Sequence, residues 1–233
     1  MRSELSKGMY HGIPIGLGYL SVSFGFGIKA VQSGLSVLAA SIISLTNLTS
    51  AGQAAGVDII AAGGAVIEMI LVQLVINLRY SLMGLSLSQK LDKSFTMPHR
   101  LAASYGITDE IFAVCSSRRE KLTPKYMYGM IFVAMVGWVT GTALGAAAGE
   151  LLPADLSGAM GILLYGMFLA IIVPPARKQL SVLLVVIAAA GFSVFFRYVL
   201  ISVSEGFAII ISAVAASCLG ALLFPIKDEE AEK

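Results

Sequence analysis

Apolar residues occupy this chain in long blocks, with neither the alternation of a strand nor the single stripe of a soluble helix. Seven blocks stand out, at 12–28, 36–57, 59–89, 126–149, 156–176, 179–204 and 206–226. About 20 apolar residues carry a helix across the hydrocarbon of a bilayer. The pattern therefore predicts an all-α polytopic membrane protein with about seven hydrophobic helical runs, arranged as a single transmembrane domain over 1–233.

The second block breaks its own character. Between Ala30 and Val57 there is no charge, yet Thr46, Asn47, Thr49, Ser50 and Gln53 fall at membrane depth, interleaved with Gly52 and Gly56. Isolated hydroxyls, amides and glycines in membrane helices commonly serve close packing or interhelical hydrogen bonds. Five polar residues within eight positions exceed one packing seam. Polar or irregular backbone at that depth requires burial in protein or a wet cavity, so a broken or re-entrant helix facing a substrate is expected here. Its freed amides would attract a carboxylate, and its carbonyls an ammonium group or cation.

The third block carries Glu68, Gln73, Asn77, Arg79 and Tyr80. At about 100° per residue, Glu68 and Arg79 share one face, and Gln73, Asn77 and Tyr80 lie on the other. A carboxylate well inside a span costs at least about 2.5–3.5 kcal/mol to insert and marks a functional site by default. Glu68 is thus an ion-coupling candidate, and Arg79 either joins the site or snorkels to an interface. Between Lys90 and Lys125 lies the one long polar stretch, with seven of the sixteen Lys and Arg residues. That bias places most of it in the cytoplasm. Its apolar middle, 101–117, holds Thr108, Asp109 and Glu110. It reads as a cytoplasmic amphipathic helix, or as a re-entrant segment bringing two acids toward a pore. An exposed N-cap with acids in the first turn is the structural alternative.

The remaining blocks are simpler. Gly137, Gly141, Gly145 and Gly149 recur every four residues, the spacing of a helix-packing seam, and the glycines of 12–28 read the same way. Arg177, Lys178 and the charged 227–233 tail place both the later loop and the C-terminus inside. With the N-terminus also inside, the number of crossings must be even, so either 36–57 dips in and returns, or 101–117 completes an additional passage and leaves the first part of the polar stretch outside. Stretches 8–89 and 126–204, joined by 90–125, could form an inverted repeat of the kind many secondary transporters use. Only then does composition add its bound: 57% hydrophobic and 13% charged residues, with mean hydropathy +0.86, lie far from the roughly 25% charge of soluble domains. The net charge of +2, without a basic patch interleaved with aromatics, implies no nucleic acid. Cys115 and Cys218 belong to no CxxC or Cys/His spacing, so no metal or disulfide framework is expected, and no cofactor motif occurs. The first apolar run lacks a small-residue cleavage site and is expected to stay as a membrane helix.

Three motifs in order, TNLTSAGQAAG at 46–56, NLRY at 77–80 and ITDEIFAV at 107–114, follow a first helix containing GIPIGLGY. Together they resemble the AzlC family of branched-chain amino acid permeases over essentially the whole chain. The motifs are strongest in the first half and match only in hydropathy in the second. The resemblance implies export of branched-chain amino acids or analogues across a bacterial plasma membrane, together with a small hydrophobic AzlD-type membrane subunit. It carries over Ser50, Gly52 and Gln53 as the small-Gly-Gln stretch, Asn77 and Arg79 as the Asn-x-Arg pair, and Asp109 and Glu110 as the acidic pair. Many relatives have an aromatic after the Gln where this chain has Ala54, which implies a different side-chain preference if that aromatic touches substrate. Glu68 and Tyr80 rest on the physical argument alone.

The expected site is therefore Thr46, Asn47, Thr49, Ser50, Gly52, Gln53, Asn77, Arg79 and Tyr80 for substrate, with Glu68, Asp109 and Glu110 for ion coupling. Without a phosphate-cradling GxxxxGK[ST] sequence, a proton gradient is the expected energy source. A passive channel or a non-transporting membrane assembly subunit remains the alternative. A membrane-embedded hydrolase is disfavoured, because His11 and His99 sit at span edges or in loops.

Overall fold

The computed structural model describes residues 3–151, 166, 168–170 and 172–225. Nine helices are named among them: α1 (Glu4–Gln32), α2 (Val37–Thr46), α3 (Ala51–Ala61), α4 (Val66–Ser88), α5 (Met97–Ser104), α6 (Asp109–Ser117), α7 (Pro124–Leu151), α8 (Leu180–Tyr198) and α9 (Glu205–Leu223). Five of them, α1, α4, α7, α8 and α9, are long and apolar enough to cross a bilayer. The expected crossing over 156–176 and the 227–233 tail lie largely or wholly outside the described residues.

The frame is a pair of parallel helices, α1 and α7, in contact along their whole length. Glycine removes the side chains that would hold the two backbones apart. A Cβ at Gly137 would sit 2.2 Å from the Gly16 carbonyl oxygen, and one at Gly145 would sit 2.0 Å from that of Phe24. The contacts climb in step, from Gly8 against Tyr126 to Gly149 against Ile28, which fixes the two helices as parallel. The expected seam at Gly137, Gly141, Gly145 and Gly149 is present, and Gly8, Gly12 and Gly16 complete it from the α1 side.

Two pairs of short helices lean on this frame. α2 leaves the end where α1 stops, runs inward to Thr46, and breaks over 47–50. α3 then returns to the same end, where Asp58 meets Lys29 of α1 at 2.6 Å. The 36–57 block is thus a re-entrant hairpin, not a crossing. A second hairpin, α5 and α6, enters from the opposite end. Its tip, near Gly106–Thr108, reaches the middle of α7 and α1, and its return ends beside the start of α1, where Arg118 meets Glu4 at 2.9 Å. The first alternative of the parity argument is realised, whereas 101–117 belongs to a re-entrant hairpin and makes no additional passage.

Between the hairpins, α4 crosses in the direction opposite to α1 and α7. Its far end carries Lys90 and Leu91 to Leu122, with the Leu122 amide donating to the Lys90 carbonyl at 2.9 Å. The 59–89 block is not one helix: the chain turns at 62–65, with Gly63 at φ +64°, and α4 begins only at Val66. Glu68 consequently sits in the first turn of α4 and not deep inside a span. Because α1 and α7 are parallel, the first helices of stretches 8–89 and 126–204 do not oppose each other. α8 and α9 form an outer antiparallel pair, and α9 packs on α3 and α4.

Candidate functional site

The two hairpin tips meet at mid-depth. Tyr105, at the end of α5, donates its hydroxyl hydrogen bond to the Leu45 carbonyl near the end of α2. Around this junction Tyr19, Leu48, Ser50, Tyr80, Thr108, Asp109, Glu110 and Trp138 enclose a cavity of about 10 Å³, room for a single water at most. Those residues come from α1, both tips, α4 and α7.

On the second tip, Thr108 N-caps α6, its Oγ1 accepting from the Ile111 amide at 3.4 Å. The acids that follow occupy the favourable first turn and also face the centre. Tyr19 donates to Thr108 Oγ1 at 2.6 Å and contacts the Glu110 carboxylate. Asp109 pairs with Arg79 of α4 at 3.0 Å, and Arg79 also donates to the Tyr80 hydroxyl at 3.2 Å. Both partners of the pair keep over a third of their side-chain surface exposed, so the pair is not sealed within the fold. Among the described residues the Arg79 Nε and Asn77 Oδ1 atoms are buried without a hydrogen-bond partner, donor and acceptor capacity that a bound polar molecule or water can satisfy.

The first tip is strained. Ser50 adopts φ +34°, a region costly for a residue with a Cβ, and it provides no side-chain cap to α3. Gln53 fastens the returning half: its Oε1 accepts from Trp138 Nε1 at 2.9 Å, and its Nε2 donates to Ser44 Oγ at 3.0 Å. Ser44 continues to Thr142 Oγ1 at 2.7 Å, so one buried chain of polar groups ties both halves of the hairpin to α7. On the other side Gln73 donates to the Gly52 carbonyl at 2.7 Å, and Asn77 donates to Gln73 at 3.0 Å. A Cβ at Gly52 would stand 2.5 Å from Thr49 Oγ1 and 2.7 Å from Gln73 Oε1, so a larger residue would displace these two side-chain ends. Thr49 donates to Asn47 Oδ1 at 2.7 Å within the tip, and Thr46 bonds back to the Ile42 carbonyl at 2.8 Å.

The structure thus brings Ser50, Tyr80, Asp109 and Glu110 to one cavity, with Arg79 paired to Asp109. Gln53, Gly52 and Asn77 stand just behind it, and Thr46, Asn47 and Thr49 shape the first tip. Glu68 is not among them. It lies about 16 Å along α4 from Arg79 at 1.5 Å per residue. There it accepts from Ser204 Oγ at 2.5 Å and the Gly206 amide at 2.9 Å, which satisfies the first turn of α9. Sequence reasoning passed over Tyr19, Trp138, Ser44 and Thr142. A lone aromatic or hydroxyl in an apolar run carries no signal until the hairpin partners are known, although Trp138 is the chain's one tryptophan.

Comparison with known proteins agrees with this architecture's membrane character. A family profile described as AzlC protein matches residues 14–152, the stretch that contains α1, both hairpins, α4 and α7. An uncharacterized membrane protein of Archaeoglobus fulgidus is 30% identical over 175 residues, covering 74% of this chain and 76% of the relative. The inner membrane protein YgaZ of Escherichia coli is 26% identical over 183 residues, covering 75% of this chain and 74% of the relative. No solved structure matches.

Proposed function

The chain belongs to the AzlC family, and on that footing we propose that it is a carrier exporting branched-chain amino acids or close analogues across a bacterial plasma membrane. The observation that supports transport is the meeting of two re-entrant hairpins, one from each end, at a central polar cluster with an ion pair. Irregular backbone at that depth is tolerated only where it is buried in protein or lines a cavity, and broken helices at mid-depth are where many secondary transporters hold substrate. Valine, leucine or isoleucine presents a carboxylate, an ammonium group and a branched apolar side chain. Arg79 and the uncapped start of α3 would take the carboxylate, and Asp109 or Glu110 the ammonium. Leu48 and Trp138 would form part of the apolar wall.

The cavity is far smaller than any amino acid, so this conformation is closed and binding requires one hairpin to move. Proton coupling is proposed through Asp109 and Glu110, the two carboxylates that face the central cavity. Lys7, Lys90, Lys93, Arg118 and Lys121 gather at the end where α1 and α7 begin. The positive-inside rule supports assigning that end, and the C-terminus after α9, to the cytoplasm. A small AzlD-type membrane subunit is proposed on the resemblance. The α4 face bearing Ile67, Ile70, Leu74, Leu78, Leu82 and Leu85, each more than half exposed, is apolar enough to meet such a helix or lipid.

Counterflow in proteoliposomes tests the reading. Liposomes loaded with unlabelled leucine, valine or isoleucine should accumulate external radiolabelled amino acid, with the small subunit co-reconstituted if required. Folded protein that exchanges none of the three, with or without that subunit, overturns the proposal.

A further inference from the structure

Residues 4–61 and 66–117 follow one plan. Each begins with a long helix, continues with a half-helix entering from the end where that long helix stops, turns at mid-depth, and returns to the same end. α1 and α4 run in opposite directions, so the second unit is the first one inverted. The sequence carries the same correspondence. Tyr19 of α1 and Tyr80 of α4 both line the central cavity, and Lys29 and Lys90 stand at the closing ends of the same two helices. Within each pair the separation is 61 positions. The tetrapeptide Leu-Ala-Ala-Ser occurs at 38–41 in α2 and again at 101–104 in α5. Its second alanine, Ala40 or Ala103, is buried in both.

The lysines also do the same thing. Lys29 Nζ reaches Asp58 at 2.6 Å, at the outer end of α3. Lys90 Nζ reaches the Ser116 carbonyl and, at 2.7 Å, that of Arg118, at the outer end of α6. In each unit the ammonium at the foot of the long helix grips the last turn of its own hairpin, one through a carboxylate and the other through carbonyls at a helix C-terminus, which favour a cation. We infer that residues 4–61 and 66–117 are an inverted duplication, and that Lys29 and Lys90 are its two equivalent latches, each holding one hairpin shut at its own end.

This rests on the carrier reading only for its purpose; the geometry stands without it. With both latches made, the central cavity is closed to both sides. Releasing Lys29 frees the α2–α3 hairpin toward the end where α1 stops, and releasing Lys90 frees the α5–α6 hairpin toward the other. Inverted units allow the two openings to be near mirror versions of each other. Lys29 keeps 15% of its side chain exposed and Asp58 40%, so the pair sits at the outer foot of the hairpin, where parting it loosens the end of α3.

The test uses full-length protein with Cys115→Ala and Cys218→Ser and one reporter, Ser50→Cys, at the cavity. Membrane-impermeant maleimide is applied to intact cells and to inverted vesicles. Lys29→Gln should raise labelling about tenfold from one face, and Lys90→Gln by a similar factor from the opposite face, a bias of about 1.4 kcal/mol in each case. The exchanged pair Lys29→Asp with Asp58→Lys should restore the low labelling of the parent, which separates a lost latch from a damaged fold. Enhancement from the same face for both variants, or none for either, overturns the inference even if amino acid flux is normal. Opposite-sided enhancement upholds it even if no amino acid is carried, so its fate is independent of the substrate proposal.

Discussion

Gln53 is a side chain whose amide has no spare capacity for error. It bridges Trp138 and Ser44 in a wholly buried position, 1% exposed. Replacing it by alanine leaves the indole N–H without its partner, and an unsatisfied buried group costs about 1–3 kcal/mol. Gln53→Ala should therefore lower the melting temperature in detergent and abolish exchange, whereas Gln53→Glu should keep the acceptor and lose the Ser44 donation. Glu68 poses the complementary case. If its carboxylate serves only to cap α9, Glu68→Gln should cost about 0.5–2 kcal/mol of stability and leave the pH dependence of exchange unaltered; a loss of pH dependence instead would make it a proton carrier. The sequence placed Glu68 in the middle of a long apolar block because Gly63 and Gly64 leave hydropathy almost unchanged, and only the backbone turn moves it to the edge.

At the scale of elements, the glycines of α1 and α7 were legible as a seam because their four-residue spacing is itself the geometric requirement. Their partner and direction were not, since many helices in such a protein offer small residues. The consequence is a sharp contrast in tolerance. Gly137→Leu should drive a side chain into the Gly16 backbone and abolish a monodisperse peak on size exclusion, while Gly18→Ala, with open space around it, should behave as the parent. The first hairpin was visible as a polar interruption, and its break at 47–50 falls inside the polar cluster from Thr46 to Gln53. Which of the open readings holds was not settled by the sequence, because a 22-residue apolar block satisfies the length of a crossing whether or not it bends, and 101–117 reads equally as an amphipathic helix. Ser50 marks the bend. Ser50→Gly should stabilise the closed form by about 1 kcal/mol through relief of its φ, and Ser50→Val should destabilise it, both measurable as shifts in thermal unfolding.

For the molecule as a whole, the two returns make a topology that cysteine labelling can check directly. Single cysteines at positions 36 and 63 should react from one face of the membrane, and those at 93 and 120 from the other. Labelling of 36 and 63 from opposite faces would mean that α2 and α3 form a continuous crossing. The all-α membrane class followed from composition and block length alone, and family membership was carried by three short motifs. Those motifs now have a common address: two supply the tips and the third is the stretch of α4 between them. Distances between them in sequence gave no hint of that convergence, which depends on hairpins approaching from opposite ends.

The parallel pairing of α1 with α7 has a further consequence for how the protein is made. Both hairpins are translated before the wall they lean against exists, since α7 begins at Pro124 and the tips at 47–50 and 106–108 precede it. A nascent chain stopped short of Trp138 has no indole for Gln53, no Thr142 for Ser44 and only the first part of the glycine groove for α1. Ribosome-tethered fragments ending before that point should remain open to protease at both tips, and protection should arrive abruptly once the seventh helix has left the exit tunnel.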